Sequence, residues 1–183
     1  MTVAPVPKPG VQERILLHLR DYVDHADKVE VPFALSQMGI ANAVSIARSN
    51  VPRAISGLRD QGYLLEKQAH VTGVSRKRKA YFLTDDGTKL ADDIWSKVGK
   101  QTVRVIGKDG RASNMELSQA LEATELPLRH VDVIRYLDES GTIDLSVLSA
   151  DLIERDLSKH IEKQLVTSLS DLPRTRRFYG REM

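Results

Sequence analysis

Apolar residues recur at helical spacing near the start of the chain, where Ile15, Leu16, Leu19, Tyr22 and Val23 share one face. Arg14, Arg20, Asp21 and Asp24 fall off that face, so the pattern predicts a helix from about Val11 to His25. Val29-Glu30-Val31 suits a short strand. Pro32 then permits a second helix through FALSQMGIANAV, with Leu35, Met38 and Ala41 turned inward and Ile40 and Val44 less regularly so. The run RSNVPRAISGLRDQG predicts a third, because Val51, Ile55 and Leu58 recur at i, i+4, i+7 with Ala54 beside them. Pro52 fits only if that helix begins near Arg48 or Ser49, where the first amides lack an intrahelical partner. Gly62 suits a left-handed cap at its end.

Two strand-like runs follow, Tyr63-Leu64-Leu65-Glu66-Lys67 and Ala80-Tyr81-Phe82-Leu83, joined through the basic, Gly-containing stretch VTGVSRKRK. Thr84 is a good N-cap, and Asp85 and Asp86 suit the positive end of a fourth helix carrying Leu90, Ala91, Ile94, Trp95 and Val98 on one side. Further on, Thr102-Val103-Arg104-Val105-Ile106 reads as a strand closed by the turn KDG. MELSQALEAT and RHVDVIRYLDESG read as helices, and Thr142 to Leu145 as a short strand. Ile153, Leu157, Ile161, Leu165 and Leu169 recur every fourth residue, a step that drifts around a helix and so forms no sustained heptad seam.

The expected organisation is a flexible tail over 1–10, a helix-rich unit with a small β-hairpin over 11–100, an acidic, mostly helical region over 101–172, and a basic tail over 173–183. The fold class is mainly α with a small hairpin, α+β.

Charge divides along the same lines. The net charge is +2 over 183 residues. Between Arg48 and Phe82, however, Arg48, Arg53, Arg59, Lys67, Arg76, Lys77, Arg78 and Lys79 are opposed only by Asp60 and Glu66, leaving +6. Residues 101–172 carry −5. The first patch seeks a polyanion, and the second half suits a different, protein partner.

The helix, strand, helix, helix, strand, basic tip, strand order can be matched by quotation. IANAVSIARSNVPRAISGLRDQGYLLE resembles the helix-turn-helix of MarR-like and related archaeal regulators, with its turn near Ser45-Ile46. SRKRKAYFLTDDGTKLAD resembles their wing and the start of the next helix. The resemblance covers about Val11 to Trp95 and implies a winged helix-turn-helix that binds double-stranded DNA as a transcriptional regulator. It implies a recognition helix over about 48–61 in the major groove and a wing over about 72–80 on the adjacent backbone or minor groove.

On that basis Arg53 is the candidate base reader, by pairing with guanine O6 and N7, or else is held by Asp60 or Asp21. Ser49, Asn50 and Ser56 reach bases or phosphates, and Arg76, Lys77, Arg78 and Lys79 phosphates. Arg48 and Arg59 suit phosphate contacts and intrachain ion pairs equally. Trp95 and Tyr63 suit the core better than base stacking. A homodimer is expected, through the faces around Ile94-Trp95 and Ile153–Leu169.

Other chemistries find little support. Cysteine is absent, which removes disulfides, thiolate metal sites and cysteine nucleophiles and suits a cytoplasmic setting. His18, His25, His70, His130 and His160 form no ligand pattern. Asp85-Asp86 and Asp92-Asp93 suit capping and solvation rather than acid-base work. No catalytic residue, metal or cofactor is expected, and no stretch of 18 apolar residues suggests a membrane span.

The ending PRTRRFYGREM contains FYGRE, which resembles the element preceding the phosphate-binding loop of archaeal and STAND-type ATPases. The loop G-x-x-x-x-G-K-S/T itself does not occur. The alternative this raises is an N-terminal interaction or regulatory module of a larger ATPase.

Overall fold

Five residues in a row, Ile15 through Leu19, are buried in the first helix, α1 (Val11–Arg20). A surface helix would bury a single stripe, so α1 is packed on several sides. In the computed structural model, which describes residues 9–122, His130 and 142–147, it is touched by the helices and the hairpin that follow it in the chain. Its N-terminus is closed by Glu13, whose carboxylate accepts from the Gly10 N–H at 2.7 Å. The helix stops at Arg20, five residues short of the expected His25. Asp21 and Asp24 would place negative charge where the helix carbonyls already point, and a 3-10 turn over Val23–His25 continues the path.

Strand β1 (Glu30–Val31) leads into a second 3-10 turn, Phe33–Leu35. The sequence pattern suggests that α2 starts here, but it starts later, at Gln37–Val44. Ser36 decides this: its hydroxyl accepts from the Gly39 N–H at 3.1 Å and donates to the Phe33 carbonyl at 2.7 Å, which is what an N-cap does. Ser45 ends α2 in the left-handed region, φ 55° and ψ 52°. Arg14 of α1 donates to the Val44 carbonyl at 2.7 Å, placing a cation at the negative end of α2.

A 3-10 turn over Arg48–Asn50 then opens α3 (Val51–Asp60). Pro52 falls in its first turn, where its missing N–H costs nothing. Val51, Ile55 and Leu58 are buried, as the spacing requires. At the far end Gly62 takes φ 80°. Its N–H reaches the Arg59 carbonyl, and the Tyr63 N–H reaches that of Leu58, both at 2.9 Å, which is a Schellman closure.

Strands β2 (Leu64–Val71) and β3 (Arg78–Leu83) pair antiparallel from Leu64↔Leu83 to Ala69↔Arg78, and β1 joins β2 in parallel at Glu30↔His70 and Val31↔Val71. Both hairpin strands are longer than the apolar runs suggested, because Lys67, Gln68 and Ala69 keep pairing with Ala80, Lys79 and Arg78. Thr84 binds the hairpin's exit to the end of α3: its hydroxyl donates to the Gly62 carbonyl at 2.8 Å and accepts from Gly87 N–H at 3.0 Å, capping α4 (Asp85–Gly99).

The chain then forms β4 (Thr102–Ile106), β5 (Ala112–Glu116), the short helix α5 (Leu117–Glu122) and β6 (Thr142–Asp144), with strand order β5-β4-β6. Met115 and Glu116, expected to open a helix, instead pair with Val103 and Thr102. The strands expected at Thr102–Ile106 and from Thr142 both form, and among the described residues the reading misses only β5, which completes a second three-stranded sheet. Val103, Val105, Leu117, Ala120 and Ile143 belong to the same hydrophobic cluster as α1, so packing continues through residue 100. The expected helices over 129–141 and 153–169 lie outside the described residues, apart from His130.

His130 is held from both sides of its ring. Arg20 Nη1 donates to its Nε2 at 3.0 Å, its Nδ1–H donates to Asp21 at 2.6 Å, and Trp95 of α4 meets the ring edge-on at 4.4 Å between centroids. Arg20 also pairs with Asp92, so α1 and α4 are joined through this group. Ile94 is buried and Trp95 half-buried within the chain. That face therefore offers a second copy less than its sequence suggested.

Backbone contact at Gly87 yields a stability prediction. A Cβ there would stand 2.1 Å from the Tyr63 carbonyl oxygen, whereas one at Gly57 in α3 would meet only the flexible end of Gln12. Gly87→Ala should destabilise by about 1–3 kcal/mol, while Gly57→Ala should be neutral or stabilising by up to about 1 kcal/mol. Urea unfolding midpoints of the two variants against the native protein check this.

Candidate nucleic-acid interface

The exposed side of α3 is built by its buried one. With Val51, Ile55 and Leu58 inward, Arg53 is left exposed, and no ion pair or hydrogen bond holds its side chain among the described residues. Neither Asp60 nor Asp21 takes it: Asp60 accepts from Ser56 at 3.4 Å, and Asp21 is occupied by His130. Ser56 is half-buried. Arg48, Ser49 and Asn50 sit in the 3-10 turn ahead of the helix, all exposed.

The hairpin tip rises beside this turn. Its base is pinned by Thr72, whose N–H and hydroxyl both donate to the Val31 carbonyl, at 2.9 and 3.2 Å. Gly73 turns the chain at φ 80°, and Arg76 and Lys77 occupy the exposed tip. Arg78 and Lys79 are already in β3. Successive strand residues point to opposite faces, so the run SRKRK does not form one row of cations. Between the tip and the start of α2 lies a cleft of about 430 Å³ with Phe33, Met38, Arg48, Val74, Arg78 and Lys79 among its lining residues.

This is a winged helix-turn-helix.

The eight basic residues of the Arg48–Phe82 segment divide into two groups. Lys67 donates to the Ala26 carbonyl at 3.1 Å and lies over the Phe82 ring. Arg59 and Lys79 both pair with Glu66 of β2, at 3.4 and 2.7 Å, one on each carboxylate oxygen. Of the two uses weighed for Arg59, the ion pair is the one formed; Lys79, expected on a phosphate, is ion-paired as well. The remaining five, Arg48, Arg53, Arg76, Lys77 and Arg78, carry no ion pair among the described residues. Glu66 is the residue that sequence reasoning passed over. Its only signal was that it is one of two acids in a basic segment, and its partners become visible only with the strand register.

The carboxylate leaves a chemical signature. Its hydrogen bond and charge raise the Lys79 ammonium above the ordinary lysine value of 10.5. Burial, then the same carboxylate, push the Tyr81 hydroxyl above 10.0. No group of three or more His, Asp or Glu is gathered at metal-binding distance among the described residues, and no helix there is long and apolar enough to cross a membrane.

No family model and no curated protein matches the chain. Among solved structures it is similar to Lactococcus lactis ZitR, a zinc-responsive MarR family member, at 21% identity and a TM-score of 0.37, over 52% of this chain and 57% of that one. It is likewise similar to the adhesin competence repressor AdcR of Streptococcus pyogenes, at 21% and 0.36, over 49% and 56%. A variant of S. aureus MepR bound to an oligodeoxyribonucleotide aligns at 17% and 0.38, over 87% and 78%. The matches to ZitR and AdcR span little more than half of those chains.

Because Lys79 titrates above the unfolded value, its pair with Glu66, wherever that carboxylate is ionised, is present in full below pH 10.5 and is lost as pH rises through the folded pKa. Following the Lys79 side-chain carbon shift by NMR should give a higher midpoint in the native protein than in Glu66→Gln. Equal midpoints would mean that the pair does not form in solution.

Proposed function

We propose that the winged unit binds double-stranded DNA as a transcription regulator, with α3 in the major groove and the hairpin tip on the neighbouring backbone. The observation that carries this reading is the free state of Arg53. It is an exposed guanidinium on the outer face of α3, without an ion partner among the described residues, beside a tip whose Arg76 and Lys77 are also unpaired. An arginine in that position suits a bidentate contact with guanine. Ser49 and Asn50, ahead of the helix, suit bases or nearby phosphates, and Ser56 does so at the cost of its bond to Asp60. Arg48 and Arg78, which line one cleft, suit the phosphate strand passing between helix and wing.

Arg59 and Lys79 take a smaller part in this reading, since a phosphate would have to compete with Glu66 for them. The dimer expected from the sequence now rests on 153–169, outside the described residues. So does the C-terminal FYGRE, on which the alternative of an ATPase-associated interaction module depends.

Two sets of variants separate base reading from charge. Replacing Arg76, Lys77 and Arg78 with Gln should weaken binding to every duplex alike and flatten the salt dependence by roughly 0.9 per lost contact in log K against log salt. Arg53→Ala should cost about 1–3 kcal/mol on a duplex selected from a random pool and much less on random DNA. Equal losses on both would make Arg53 a phosphate contact. No binding of the native chain even at low salt would remove the DNA reading and favour the interaction module.

A further inference from the structure

We infer that Glu66 sets the strength of DNA binding: its carboxylate holds Arg59 and Lys79 away from phosphates and thereby limits the sequence-independent part of the affinity. The inference rests on the DNA-binding reading above. It starts from the geometry of one side chain that joins three elements: Glu66 in β2, Arg59 at the end of α3 and Lys79 in β3. Glu66 keeps only 23% of its side chain exposed, while Arg59 and Lys79 keep about half of theirs. The acid is fixed and the two cations reach toward it. Each takes a different oxygen, so neither displaces the other.

The register explains why this group assembles. Glu66 stands opposite Tyr81 and Gln68 opposite Lys79, which puts Glu66 and Lys79 on the same face of the hairpin as diagonal neighbours. Arg59, one residue before the last of α3, comes down beside them.

Sequence-independent affinity for a duplex comes mainly from cations that replace counterions on phosphates. Arg59 lies six residues along α3 from Arg53, roughly 9 Å of helix rise. That is within the screening length of about 10 Å at 0.1 M salt, so its charge acts on the same stretch of DNA. Glu66 offsets one of the two positive charges of Arg59 and Lys79 and keeps both groups from phosphates, which lowers the affinity for all sequences. The base contacts proposed for Arg53 are untouched, because no acid among the described residues pairs with it. The phosphate part is common to every duplex, so it cancels in the difference that defines specificity, and Glu66 tunes overall affinity and its salt dependence rather than the choice of sequence.

The test compares full-length native protein with Glu66→Gln by fluorescence anisotropy, on a random-sequence duplex and on the selected duplex, across a range of salt. Glu66→Gln should bind random DNA roughly three- to tenfold more tightly at 0.1 M salt, with a slope steeper by about 0.9–1.8. The selected duplex should gain by a similar factor, so the ratio of the two affinities stays near its native value. Adding Arg59→Gln and Lys79→Gln to Glu66→Gln should abolish the gain. A second comparison avoids Glu66 altogether. In the native background Lys77→Gln removes an unpaired cation and should flatten the slope by roughly 0.9, while Lys79→Gln removes one held on Glu66 and should flatten it by less than half as much. If the native protein binds DNA but Glu66→Gln gains nothing, or Lys79→Gln costs as much as Lys77→Gln, the inference falls and the DNA reading stands. If the native protein binds neither duplex at low salt, both fall together.

Discussion

Everything in the winged unit is arranged around α1, and α1 can occupy that place because it meets neighbours on more than one side. Ile15, Leu16, Leu17 and Leu19 are no more than 1% exposed. The one polar residue among them, His18, is equally buried and donates from Nε2 to the Ala34 carbonyl at 2.9 Å. A buried ring nitrogen without such a partner would cost more than most single apolar contacts return. The bond therefore couples two things, the tolerance of a histidine in the core and the position of the 3-10 turn that leads into α2. Arg14 extends the same helix's reach to the other end of α2 through the Val44 carbonyl. With both ends of α2 set by α1, the left-handed turn at Ser45 and the start of α3 follow.

Much of this was legible in the sequence, and the failures have specific causes. The stripe of Val51, Ile55 and Leu58, the placement of Pro52 in a first turn and the cap at Thr84 follow from local rules and agree with the structure. Apolar spacing runs through Phe33–Leu35 and conceals the stronger cap at Ser36, so the pattern starts α2 too early. The sequence pattern gives only Met115 and Glu116 of β5 to a helix and assigns 112–114 to no element; only pairing with β4 makes Ala112–Glu116 a strand. For the candidate interface, exposure of Arg48, Ser49, Asn50 and Arg53 was inferable from the helix face. The fate of Arg59, Lys67 and Lys79 was not. Lys67 is held by a carbonyl distant in sequence and Lys79 by an acid across the hairpin. Arg59 is held by the same acid just past the turn that ends α3, and composition counts all three as free charge.

The basic patch is therefore smaller and more ordered than its sequence total. Lys67 contributes its stem to Phe82 and its ammonium to a backbone carbonyl, a use of lysine that is as much packing as charge. Arg59 and Lys79 share one acid. What faces outward is a short set of guanidinium and ammonium groups distributed over three pieces of backbone: the turn before α3, α3 itself and the hairpin tip. Their relative positions are fixed by contacts that carry no charge, above all the two donors of Thr72 on Val31 and the two bonds of Thr84 to the end of α3 and the start of α4.

The two sheets combine pairings of unlike range. β2 and β3, like β4 and β5, are neighbours joined by short turns, but β1 must meet β2 in parallel across most of the winged unit, and β6 must meet β4 across a comparable span. Closing long loops costs entropy before any contact rewards it. The hairpins and helices can thus form from nearby residues, while the parallel partners arrive last. Since Val31 of β1 supplies the carbonyl that pins Thr72, the wing takes shape early in folding but acquires its fixed seat only when one of the slowest pairings is complete.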